Sequence, residues 1–315
     1  MSASVDNADT NAPPPVAAPA QARGSDPGAA DADPGLNANV DADPGSGAVP
    51  ALQCTGLVYA FKQFRAVDEV DLLVEPGTVY GLLGPNGAGK TTAIRAITTL
   101  LPVPPRMVRV FGIDAARDPM AVRRLLGYVP QQLSADSALT GRENVAMFAR
   151  LFDVPSKRRA ARVASALDAV GLSDAADRMA GTYSGGMIRR LELAQALVSA
   201  PRLLILDEPT IGLDPIARAS VWERIGEVRA ATGMTVFVTT HYMDEADQYC
   251  DLISLMHRAK IRATGTPAEL KASLGSPGAT LEDVFRHYTG DTLDEPTREG
   301  FRDVRSTRRT AARLR

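Results

Sequence analysis

The segment Gly84-Pro85-Asn86-Gly87-Ala88-Gly89-Lys90-Thr91 constrains this chain more than any other. It fits G-x-x-x-x-G-K-[ST] and sits between an apolar run ending at Leu83 and a helical pattern opening near Thr91. In that strand–loop–helix setting the glycines let successive backbone N–H groups converge on phosphate at a helix N-terminus. Lys90 then neutralises β- and γ-phosphate oxygens and the Thr91 hydroxyl suits Mg²⁺, with Thr92 completing the phosphate-binding stretch. A lysine so employed is expected to lie outside the hydrophobic core.

Such a loop needs a sheet behind it. Short apolar runs at 78–83, 107–110, 203–206, 236–239 and 252–256 alternate with helical patterns, which predicts an α/β fold with a mostly parallel sheet covered by helices. Before the loop the chain is β-rich at 52–58 and 70–74, giving a β-rich N-terminal subdomain. From 141 to 180 the pattern is helical, clearest at 142–152 and 157–170, so an α-helical insert of about 132–180 interrupts the core. Short helices at 267–273 and 281–288 follow.

The run 203–206 ends in Asp207-Glu208, which brings two carboxylates out at the carboxyl edge of the sheet, where ligands of such folds bind. Asp207 is expected to hold the Mg²⁺ shell, and Glu208 to accept a proton from an attacking water. Paired acids after a strand often only cap or turn the chain; the phosphate loop upstream is what gives these a chemical reading.

Of the 315 residues, 45% are hydrophobic and 23% charged, an ordinary globular balance. The ends depart from it. Residues 1–50 are mostly Ala, Pro, Asp, Gly and Asn, repeat Asp-Ala-Asp-Pro-Gly, and carry seven aspartates against Arg23. That net −6, in a chain of net −2, leaves +4 on the rest, and neither value demands a nucleic acid. We expect 1–50 to be a disordered acidic tail, 51–270 a nucleotide-binding domain, and 271–315 a short helical extension with a basic tail. Cys54 and Cys250 are too few for a disulfide framework and are expected to pack as small hydrophobes. No run reaches the roughly 18 apolar residues of a spanning helix, and no secretory leader is apparent. His257 and His287 read as structural, and Trp222 as a core residue on a helix after Pro215.

Over about 51–270 the chain resembles the ATP-binding subunit of ABC transporters, on the phosphate loop, Tyr183-Ser184-Gly185-Gly186-Met187 in place of the signature Leu-Ser-Gly-Gly-Gln, and the following Asp207-Glu208 strand. The resemblance implies a P-loop NTPase core and ATP with Mg²⁺ as cofactors. It also implies Gln131 in a loop sensing Mg²⁺ and the membrane partner, His241 at the γ-phosphate, Asp214 in the dimer-contact loop and Phe61 stacked on adenine. Gln132 and Tyr59 are the neighbouring alternatives for the glutamine and stacking roles. Thr91, Gln131 and Asp207 are the implied metal ligands, and Glu208, His241 and Gln131 the implied catalytic set. In this family Ser184, Gly185 and Gly186 act on the ATP of a second copy, so a homodimer is implied. Tyr183 and Met187 depart from the usual signature.

The Tyr-Ser-Gly-Gly-Met form, the run Thr140-Gly141-Arg142-Glu143-Asn144 and the run Thr280-Leu281-Glu282-Asp283-Val284-Phe285 look like the drug-resistance (daunorubicin-type) branch, whose members pair with separate ABC-2 permeases. The implied function is a peripheral ATPase at the cytoplasmic face of the membrane that energises export of a hydrophobic or amphipathic compound. A soluble ABC-type ATPase remodelling a cytosolic assembly is the alternative, and a small-molecule P-loop kinase has no use for Ser184-Gly185-Gly186.

Overall fold

The computed structural model describes residues 49–290, so the acidic segment, apart from residues 49 and 50, and the arginine-rich segment from 298 lie outside the described residues. The strands are β1 (Leu52–Phe61), β2 (Phe64–Val74), β3 (Val79–Leu83), β4 (Val108–Val110), β5 (Ile113–Asp114), β6 (Leu126–Val129), β7 (Leu203–Asp207), β8 (Thr235–Thr240), β9 (Leu252–His257) and β10 (Lys260–Gly265). The helices are α1 (Lys90–Ile97), α2 (Pro119–Leu125), α3 (Gly141–Leu151), α4 (Ser156–Ala169), α5 (Gly185–Leu197), α6 (Pro215–Thr232), α7 (Met243–Tyr249), α8 (Pro267–Ala272) and α9 (Leu281–Thr289).

Two sheets form. The larger has the order β10-β9-β3-β8-β7-β6, with every pair parallel except β9–β10. Side chains alternate along each strand, and both faces are buried. Val79, Leu83, Leu204 and Val236 enter one core with the helices α4 to α6, while Tyr80, Leu82, Ile205 and Phe237 enter another with α1 and the smaller sheet. The smaller sheet, β2-β1-β4-β5, is antiparallel. Its strands β1 and β2 run longer than the two short runs read from sequence, because a tight turn at Lys62, with φ 56°, folds them into one hairpin.

Strand order positions the site. β8 lies between β3 and β7, with β6 beyond β7, so four carboxyl ends stand side by side. Leu83 pairs with Thr240 and Asp207 with Thr239. What leaves those ends is therefore the phosphate loop, His241, Asp207-Glu208 and Gln131, in neighbouring positions.

Candidate nucleotide site

The phosphate loop is held by close backbone contact. A Cβ on Gly84 would meet the Met256 carbonyl oxygen at 2.1 Å, and Gly89, at φ 112°, would meet that of Ala66 at 2.2 Å. Only glycine fits either place, so β2 and β9 shape the loop from behind. Gly84 N–H donates to Thr240 O at 3.3 Å, which ties the loop to β8. Asn86 and Gly87 are exposed, Pro85, Gly89, Thr91 and Thr92 half-buried, and Ala88 buried.

Lys90 corrects one expectation: it is only 5% exposed, inside the protein. Its ammonium donates to Gly84 O at 2.7 Å and Pro85 O at 3.2 Å and pairs with Glu208 Oε1 at 3.1 Å. A buried ammonium needs polar partners, and here they are two loop carbonyls and the carboxylate at the end of β7. Burial lowers its pKa, and the Glu208 charge works against that fall.

Glu208 is the meeting point. Its second oxygen, Oε2, accepts from Gln131 Nε2 at 3.1 Å and stands 3.5 Å from His241 Nδ1, long for a hydrogen bond. The backbone at Glu208 is left-handed, φ 50°, with its N–H bonded to Thr239 O and Oγ1, both at 3.1 Å. Burial would raise its pKa, but His241 and Lys90 outweigh that and draw it down to about 2. Glu208 is thus a carboxylate at neutral pH, with an amide, an imidazole and an ammonium around it.

Asp207 is buried at the strand end. Its Oδ1 accepts from Thr239 Oγ1 at 2.6 Å and from Thr91 Oγ1 at 3.5 Å, and its Oδ2 has no partner. Burial raises its pKa, with Glu208 adding to the rise. A buried carboxylate oxygen without a donor, next to a threonine hydroxyl, is a donor set that suits Mg²⁺ with its usual waters and phosphate oxygens. The contact Gln131 makes is with Glu208, so of the three implied ligands the structure brings Thr91 and Asp207 together. Sequence reasoning missed Thr239, although two threonines closing an apolar strand just before His241 were a readable sign.

Comparison with known proteins agrees with this architecture. The ABC transporter family model matches residues 67–211. The daunorubicin/doxorubicin resistance ATP-binding protein DrrA of Streptomyces peucetius is 48% identical over 72% of this chain and 68% of its own. This chain belongs to the ABC transporter ATP-binding family. DrrA2, a daunorubicin resistance ATP-binding protein of Streptomyces coeruleorubidus, is 44% identical over 71% of this chain and 70% of its own. A solved ATP-binding subunit of an ABC transporter superposes with a TM-score of 0.66 at 27% identity, covering 76% of this chain and 99% of that one.

The segment Ser184-Gly185-Gly186 opens a helix. Ser184 caps α5, its hydroxyl accepting from Met187 N at 3.3 Å. Gly185 and Gly186 face Leu213 and Ala217, and a Cβ on Gly186 would touch that of Ala217 at 3.0 Å. The departure at Tyr183 has a structural reason. Its ring is buried, its hydroxyl donates to Ala175 O at 2.6 Å, and a Cβ on Gly141 would come within 2.3 Å of that hydroxyl. Tyr183 and Gly141, read as separate motifs, are one packing unit.

Met187 packs partly into the helical core. Asp214 caps α6, its Oδ1 accepting from Ile216 and Ala217 N at 3.0 Å each. Phe61 ends β1 46% exposed, its ring edge-on to Tyr59 at 5.1 Å. Gln132 is exposed, Trp222 and both cysteines are buried, His257 is buried against Phe285, and His287 is exposed. Among the described residues no helix is long and apolar enough to cross a membrane.

Proposed function

We infer that this chain hydrolyses ATP as one half of a homodimer at the cytoplasmic membrane face and energises export of a hydrophobic or amphipathic compound through a separate ABC-2 type permease. The observation that carries the chemistry is the convergence of Lys90, Gln131 and His241 on Glu208. The names of the DrrA relatives support the export reading.

Residues 84–92 bind the triphosphate through backbone N–H groups and Lys90, and Phe61 offers a ring face to adenine. When bound, Mg²⁺ neutralises phosphate charge, and Thr91 and Asp207 are the residues that would hold it. Lys90 cannot serve Glu208 and the phosphates equally. As phosphate draws the ammonium, Glu208 loses the cation that depresses its basicity, so the base gains strength as substrate arrives. Gln131 and His241 orient water beside Glu208. The water oxygen bonds to the γ-phosphorus as the bond from that phosphorus to the bridging oxygen breaks, the water proton passes to Glu208, and ADP and inorganic phosphate leave. Ser184 and the N–H groups of Gly185 and Gly186 complete the ATP site of the partner copy, beside the contact loop at Asp214. The helical segment 132–180 carries the motion to the permease.

The experiment is drug accumulation in cells expressing this chain with its permease: daunorubicin content falls with the wild-type chain and does not fall with Glu208→Gln. Equal content in both refutes the export reading.

A further inference from the structure

A buried ionic cluster joins the start of α5 to the loop after β6, away from the groups that meet nucleotide. Arg189 and Glu192, 3% and 2% exposed, pair at 2.8 Å on the first turns of α5. The other bonds of Arg189 go to main chain, Nη1 to Pro130 O at 2.9 Å and Nη2 to Gln131 O at 3.0 Å. Oε1 of Glu192 accepts from the amide and the hydroxyl of Ser134. One ion pair therefore fixes residues 130, 131 and 134.

Stability does not account for it, since apolar side chains of similar volume hold a core together as well as a buried ion pair does. Direction does. The guanidinium is a planar fork, so aiming it at two consecutive carbonyls and one carboxylate sets the orientation of the loop, not only its proximity. On its other side the same loop reaches the catalytic carboxylate, the Gln131 amide donating to Glu208 at 3.1 Å. At the opposite end of the cluster, α5 begins at the Ser184 cap, five residues before Arg189.

We propose that Arg189 and Glu192 are positioning residues that clamp the Gln131 loop to the Ser184 helix start, so that the two move as one body. The proposal rests on the two-copy reading above and deepens it. Gln131 approaches the chain's own Glu208, whereas Ser184 approaches the ATP held by the partner. With the clamp closed, arrival of the glutamine at one site entails arrival of the serine at the other. Each chain thus couples the two ATP sites of the dimer through its own core.

The test is a mutant cycle on the full chain, with thermal melting as a check on folding. Arg189→Met with Glu192→Leu removes the clamp without leaving a lone buried charge. We expect kcat to fall about tenfold or more and affinity for a non-hydrolysable ATP analogue to change less than about threefold, because the phosphate loop is untouched. Added to Gln131→Ala, the pair should slow turnover by no more than about twofold further, since Arg189 acts through Gln131. Effects that multiply fully, or an unchanged kcat in a normally melting variant, overturn the clamp. Should the double apolar variant fail to fold, Glu192→Gln enters the same cycle with the same criterion. Absence of turnover in the wild-type chain at saturating ATP and Mg²⁺ instead overturns the proposed function and the clamp with it, whereas turnover with multiplicative effects overturns the clamp alone.

Discussion

Lys90→Ala should cost both function and stability, and the second effect follows from the burial of the lysine. Both partners of the Lys90–Glu208 pair are 5% exposed at 3.1 Å, and removing one member strands the other. Breaking a buried pair typically costs 3–5 kcal/mol; with screening at the open mouth of the loop, and with Gln131 and His241 still beside Glu208, we expect about 2–4 kcal/mol. For a domain of this size that is a drop in Tm of roughly 5–15 °C. The pH dependence has a definite sign. Glu208 is depressed from 4.5 to about 2, so its contribution is fully present above the unfolded value and is lost as pH falls from 4.5 toward 2. Melting of wild type and variant by scanning fluorimetry at pH 7 and through the acid range should show a gap that narrows below pH 4.5. Lys90→Met, which keeps the buried stem, should show most of the same gap if charge rather than packing is responsible. A Tm within about a degree of wild type at pH 7 would refute the ion-pair argument.

Two further outcomes follow from the same geometry. Asp207→Asn leaves an amide where the unpartnered Oδ2 stands, so a Mg²⁺ titration of ATP turnover should shift to at least about tenfold higher metal, and an unchanged titration would count against the metal assignment. Phe61→Ala removes a half-exposed ring from the end of β1, so under the adenine-stacking proposal nucleotide affinity should weaken by about 1–3 kcal/mol, read as Kd for a fluorescent ATP analogue, with Tm nearly unchanged.

The parts legible in sequence are those that local chemistry writes contiguously. Gly84–Thr91 after an apolar run, and two acids closing 203–206, announced a mostly parallel α/β sheet with these groups gathered at its carboxyl edge. Strand β10 was not legible, because Lys260–Gly265 is an edge strand with a half-exposed pattern and only Ile261 and Ala263 as apolar marks. Helix α7, seven residues long, buries only Glu245 and Ala246, and offers no helical stripe. Within the site, no sequence pattern shows that Lys90 turns inward to Glu208, 118 positions later, since strand order makes that contact. The same holds for Arg189 on Pro130, which joins residues 59 apart. Tyr183 could be seen as a departure from a motif, but its partner Gly141 becomes visible only in three dimensions.

In the proposed mechanism Glu208 is the proton acceptor of a site completed by a second copy. Replacement by glutamine keeps the shape and removes the base, so ATP turnover by Glu208→Gln should fall by at least roughly 10²-fold while ATP still binds. Size-exclusion chromatography with excess ATP and Mg²⁺ should then show a dimer that Ser184→Arg, added to the same chain, returns to monomer. Hydrolysis by Glu208→Gln at the wild-type rate would contradict the account.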